Sequence, residues 1–215
     1  MPKLNSPALL CATVLVCLTT VAATAAPAAR RPATRPVARA GVDRSTPRAG
    51  LAALLAANET MDRHTAEACF HATTKSETRL AHSLALLGTA QSQLRRAVGA
   101  RLGEPAAREL CGHIVRAADV ATMRVEDKGD TAVVHASDAA AFPMVKVEGK
   151  WLVSASAMAA GEKHEGLALS AGYLDYALRH SLAAKGVMQG RLRSLDEIRE
   201  YLETGKPLGE AAAIE

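Results

Sequence analysis

Aromatic side chains are nearly missing from this chain. One Trp, three Tyr and two Phe amount to 3% of 215 residues, too few to line a large pocket with stacking rings, which disfavours a drug-sized ligand cavity. The chain is 49% hydrophobic, but much of that is Ala, Leu and Val, which favours helices packed closely together. Several catalytic signatures are missing too. No G-x-S-x-G surrounds a serine, and Ser154 and Ser156 read as ordinary strand positions, so no activated nucleophile with a base and an orienting acid is indicated. Gly161, Gly166 and Gly172 lack the spacing of a phosphate-binding loop, and no cofactor is expected. There is no internal repeat.

Charge is present but unevenly placed. The net charge is +4. Six arginines (Arg30, Arg31, Arg35, Arg39, Arg44 and Arg48) face a single acid, Asp43, between Ala26 and Gly50. The chain from Leu51 onward is slightly acidic, so the basic balance comes from an arm and not from a globular face suited to nucleic acid. With prolines at 27, 32, 36 and 47, the stretch 26–50 buries too little apolar surface to offset its ordering entropy and reads as a disordered tether.

The first 25 residues read as a secretory signal. Lys3 supplies a short basic flank, Ala8 to Val21 is apolar apart from three threonines, and Ala23-Thr24-Ala25 carries the small residues of a cleavage site. Val16 precedes Cys17, where a lipoprotein signal needs a small residue. The expectation is a chain exported to the periplasm or beyond and cut after Ala25. Its mature length of roughly 190 residues suits one domain.

Local signals then order the elements. A short apolar helix spans Leu51 to about Asn58, and a second, capped by Asp62, runs to Phe70. Thr74 and Glu77 form a capping box ahead of Leu80, Leu84, Leu87, Gln91, Leu94, Val98 and Leu102, a helical repeat closed by Gly103. Pro105 opens another helix to about Ala118. The period then shortens over Ala121–Glu126, Thr131–Ser137, Phe142–Glu148 and Trp151–Ser156, with turn chemistry at Asp127-Lys128-Gly129-Asp130 and Glu148-Gly149-Lys150. These predict a four-stranded antiparallel meander with Met144, Val145, Val147, Leu152 and Val153 as its apolar side chains and Trp151 as a core anchor. Helices follow from about Glu165 to Ala184, where Tyr173 and Tyr176 read as packing residues, and from Ser194, boxed with Glu197, to Gly205. The fold class is α+β: a core domain over 51–160 with a C-terminal helical extension, 161–215, packed on it.

Two stretches, LAALLAANETMDRHTAEACFHAT (Leu51–Thr73) and FPMVKVEGKWLVSAS (Phe142–Ser156), resemble the opening helices and the V-x-G-x-W hairpin of nuclear transport factor 2-like domains. The resemblance implies a cone-like curved sheet after N-terminal helices. It also implies either a non-catalytic module or an isomerase, cyclase or dehydratase working by an acid or base in the sheet's concave pocket. By position Asp62, His64 and His135 are the candidates for that acid or base, and no residue pattern selects among them.

Cys69 and Cys111 are the two cysteines past the signal. In an oxidising compartment an even pair reads as a disulfide, worth about 3–4 kcal/mol for a loop of about 40 residues. The alternative is two buried thiols filling space. A metal reading would recruit His64, Cys69 and His71 with Cys111 and His113, but C-x-H is not a zinc-ligand spacing, and no metal is expected. The leading expectation is an exported, non-catalytic binding domain of the cell envelope; the alternative is an acid-base enzyme of the same fold. A third is a helical scaffold binding polyanions through the arm. An unidentified protein or a small apolar ligand would be the partner, with a second copy of the chain and weak contact of the Arg-rich arm with a polyanion or membrane surface also open. A deep pocket holding a carboxylate or imidazole would favour the enzyme. A filled sheet interior with an apolar surface patch would favour the binding module.

Overall fold

The computed structural model describes residues 42–111, 115–137, 140–160 and 166–206, without the side chains of 166–168. The signal, the arm up to residue 41 and His113 lie outside the described residues.

Helix α1 (Pro47–Glu59) begins a turn earlier than the sequence suggests, inside the stretch read as tether. The Thr46 hydroxyl accepts from Ala49 N at 3.1 Å and Pro47 occupies the first turn, where its missing N–H costs nothing. Helix α2 (Arg63–Glu67) is a single turn capped by Asp62. It leads into β1 (Phe70–His71). Helix α3 (Lys75–Leu102) carries the expected box: Glu77 N donates to the Thr74 hydroxyl at 3.1 Å, while the Glu77 carboxylate accepts from Thr73 N at 2.6 Å and from Thr74 N at 3.3 Å. These bonds, from Thr73 first, hold the Glu77 carboxyl below the usual range. Helix α4 (Glu104–Leu110) stops well short of Ala118.

The segment read as a first strand from Ala121 is instead a 3-10 turn over Ala117–Thr122, and β2 (Arg124–Asp127) starts after it. Arg116 explains the shift. Its guanidinium donates to Asp119 twice at 2.9 Å and its backbone N–H donates at 3.2 Å, closing a turn that runs on into the first residues of the expected strand. Strands β3 (Thr131–His135), β4 (Ala141–Val147) and β5 (Lys150–Ser154) follow. Ser156 is not in a strand: helix α5 (Ala155–Ala160) begins one residue after β5, and the Ser154 hydroxyl accepts from Ala157 N at 3.2 Å.

The four-stranded antiparallel meander is corrected to a five-stranded mixed sheet, ordered β1-β5-β4-β3-β2. Strands β2 to β5 are successive antiparallel neighbours, and β1 adds a parallel edge beside β5, Phe70 opposite Val153. The β4–β5 turn places Glu148 and Gly149 at φ 51° and 78°, the two positive-φ positions that match a tight hairpin to strand twist. Alternation sends Val134, Phe142, Met144, Trp151 and Val153 to one face, where Leu51, Leu54 and Leu55 of α1 cover them. Trp151 is thus the core anchor expected, whereas Val145 and Leu152 sit half-buried on the opposite face.

Helix α6 (Gly166–Met188) runs beside α3 in the same direction: Tyr173, Tyr176 and Ala177 meet Leu86, Leu87 and Ala90, and further along Ala183, Ala184 and Val187 meet Leu94, Ala97 and Val98. Helix α7 (Leu195–Thr204) closes that end, boxed by Ser194 and Glu197 and ended by Gly205. The chain is therefore α+β, with helices before and after the sheet.

Candidate binding surface

The three residues nominated for acid-base work do not converge. Asp62 is occupied as a cap: its carboxylate accepts from Thr65 N at 3.1 Å and from the Thr65 hydroxyl at 2.7 Å. His64 is exposed on α2. His135 pairs with Arg124 across β2 and β3 and neighbours the buried Val134, so alternation puts it on the sheet face turned away from α1. There its Nε2 lies 3.2 Å from Glu126 Oε1, without the alignment of a hydrogen bond. No group of three or more potential metal ligands exists among the described residues.

The disulfide anticipated from the sequence is not formed. Cys69 and Cys111 are both thiols, buried in the core shared by α1 and the sheet. Cys69 Sγ donates to Thr65 O at 3.2 Å, and burial pushes its thiol up to about 11, with Asp62 adding to the rise and Arg44 opposing it. A thiol so rarely ionised is a poor nucleophile. Alkylation of Cys69 in the native protein, followed by peptide mass spectrometry in mildly alkaline buffer, is therefore expected to be about a hundredfold slower than after denaturation. Equal rates would show that α2 opens readily.

Among the described residues the space beneath the sheet is small. Between α1, α3 and the sheet lies a void of about 10 Å³, lined by Leu54, Asn58, Phe70, Leu84, Phe142 and Val153, with Met158 at its edge. That is about the space of one water molecule. Asn58 is buried there and its Oδ1 has no hydrogen-bond partner in the protein, so the void is suited to a single water and not to a substrate.

Two larger depressions lie along the seam between α3 and α6. One, bounded by Arg79, His82, Ser170 and Ala171, and the next, bounded by Met61, Leu86, Gln93 and Leu178, each measure about 470 Å³ and meet at Leu174. At the rim His82 Nδ1 lies 3.0 Å from Glu67 Oε1, which is also 3.0 Å from Arg63 Nε, without the alignment of a hydrogen bond to either. On the α6 side Leu174, Leu178, Leu182 and Met188 are between 41% and 58% exposed. At 100° per residue they fall within a third of the helix circumference. Facing α3 instead are Ala177, Ala183, Ala184 and Val187. Also on the inner side, His180 Nδ1–H donates to Tyr176 O at 2.8 Å, and burial holds its imidazole below the ordinary value.

Comparison with protein-family models, curated proteins and solved structures finds no match for this chain.

The leucine stripe escaped the sequence reading, which fixed on Tyr173 and Tyr176. A signal was present: Leu174, Leu178 and Leu182 recur every four residues. Because α6 is apolar around most of its girth, periodicity alone does not say which face is core. Among the described residues no helix is long and apolar enough to cross a membrane.

Proposed function

We propose that this chain is an exported, non-catalytic domain of the nuclear transport factor 2-like type, with a cone-like sheet, and that it serves the cell envelope by binding a partner through the α3–α6 face. The observation that carries the reading is the row of exposed Leu174, Leu178, Leu182 and Met188 on one side of α6. Scattered single leucines on a surface need no explanation, whereas a contiguous row beside an open groove marks an interaction site. The one-water void beneath the sheet and the dispersal of Asp62, His64 and His135 support the same reading over the acid-base enzyme.

The test is cross-linking in the native host. With a photo-crosslinking residue in place of Ser181, beside the stripe, irradiation of the envelope fraction is expected to give a defined adduct. The same residue in place of Lys146, on the sheet, should give none. The recovered chain should begin at Ala26. Absence of any adduct from position 181, or recovery of the chain from the cytoplasm with Met1 intact, would defeat the proposal.

A further inference from the structure

We infer that the occupant of this face is a second copy of the chain, with the two α6 helices packed antiparallel about a two-fold axis at the level of His180. This rests on reading the α3–α6 face as a binding surface and specifies what covers it. The argument is the symmetry of two leucines and two charges about that one level. Leu178 and Leu182 stand two residues to either side of position 180, and Asp175 and Lys185 stand five to either side. At 1.5 Å per residue the charged pair lies about 7.5 Å above and below the axis. An antiparallel partner therefore sets Leu178 against Leu182 of the other copy, and Asp175 against its Lys185, and each contact occurs twice.

The charges are placed to use this register. Lys185 is exposed and has no carboxylate partner among the described residues. Asp175 is half exposed; its Oδ2 receives Arg179 NH2 at 2.7 Å, while Arg179 NH1 also donates to the α7 carbonyls of Glu203 at 2.8 Å and Leu202 at 3.2 Å. The carboxylate is thus held in place with its outer side turned to solvent. Ala171, three residues before Leu174, and Ser181, between Leu178 and Leu182, are small enough to leave room for a close helix approach. A heterologous partner would need apolar and charged complementarity but would not need both to share one centre. An isologous contact needs that shared centre.

The test is sedimentation of the chain purified from its host, across micromolar concentrations, with helicity checked by circular dichroism. The natural chain is expected to be a dimer, and Leu178→Asp a folded monomer with at least tenfold weaker association. Asp175→Lys and Lys185→Asp should each weaken the dimer about fivefold to tenfold, since each sets like charges opposite one another twice. The double variant D175K/K185D should recover most of the loss. A natural chain that stays monomeric, or a double variant no better than its parents, would overturn the inference. An adduct from position 181 to a different protein, with a monomeric chain, would likewise sink self-pairing while leaving the binding role intact.

Discussion

Replacing Phe142 by alanine is expected to cost about 3–5 kcal/mol, the range for an aromatic removed from a core that cannot collapse. Phe142 is fully buried on the inner face of β4, opposite Val134, and borders the one-water void with Leu54, Phe70 and Leu84. The walls around it are pinned. Arg48 of α1 donates to Met123 O through Nε at 3.1 Å and NH2 at 2.7 Å, and the Glu59 carboxylate accepts from Ala117 N at 3.0 Å. With the helix tied to the segment ahead of the sheet at both of its ends, the space left by the ring stays open. The midpoint of thermal unfolding should fall by about 10 °C for a chain of this size, and urea denaturation would give the free energy directly.

The functional reading gives this variant a second use. If the interior is simply core, Phe142→Ala should lose stability and gain a site for a benzene-sized apolar molecule, which would restore part of the loss. A cost below about 1 kcal/mol would mean that the space under the sheet is not tightly packed. That result would move the enzyme of the same fold ahead of the binding module.

How much of this was legible in the sequence depended on how local each signal is. The capping boxes at Thr74/Glu77 and Ser194/Glu197 need only four residues each, and both form as read. The Glu148-Gly149 turn is equally local; the alternation that buries Phe142, Met144, Trp151 and Val153 is local too, but the reading grouped Val145, Val147 and Leu152 with Met144 and Val153, and those three are only half-buried on the other face. Strand β1 is not: its two residues carry no period, and only pairing with β5, some eighty residues on, makes them a strand. The α6 stripe misleads for a different reason. Alanines face inward because α3 lies so close, and that proximity turns the leucines outward, reversing the usual rule that larger apolar residues mark the core. The candidate acid-base residues came from a resemblance in order and spacing. Asp62 is where a helix needs a cap, and His135 falls on the outer face because strands alternate.

The closest approaches in the fold give the last prediction, because two glycines meet obstacles of the same severity and different kinds. A Cβ on Gly50 would lie 2.4 Å from Trp151 O and 3.0 Å from its carbonyl carbon, so α1 rests on the backbone of β5. That backbone cannot retreat: Trp151 N donates to Arg44 O at 2.8 Å, and the residue is paired with Lys146 on the other side. Gly50→Ala should therefore cost about 3 kcal/mol, the upper end for overpacking, and should cost the same in a Trp151→Leu background, since trimming the side chain leaves the carbonyl in place. A Cβ on Gly88 would lie 2.4 Å from Asn58 Nδ2 and 2.6 Å from its Cγ, a side chain and not a backbone. Gly88→Ala alone should cost about 1–3 kcal/mol. With Asn58→Ala it should become neutral or stabilise by up to about 1 kcal/mol, the helix-propensity gain of alanine over glycine. Urea denaturation of the four species in that second cycle reads the coupling directly. Simple additivity would show that α3 shifts away from α1 instead of pressing on Asn58. Failure of the rescue at Gly88 together with rescue at Gly50 would reverse the assignment of which contact is backbone and which is side chain.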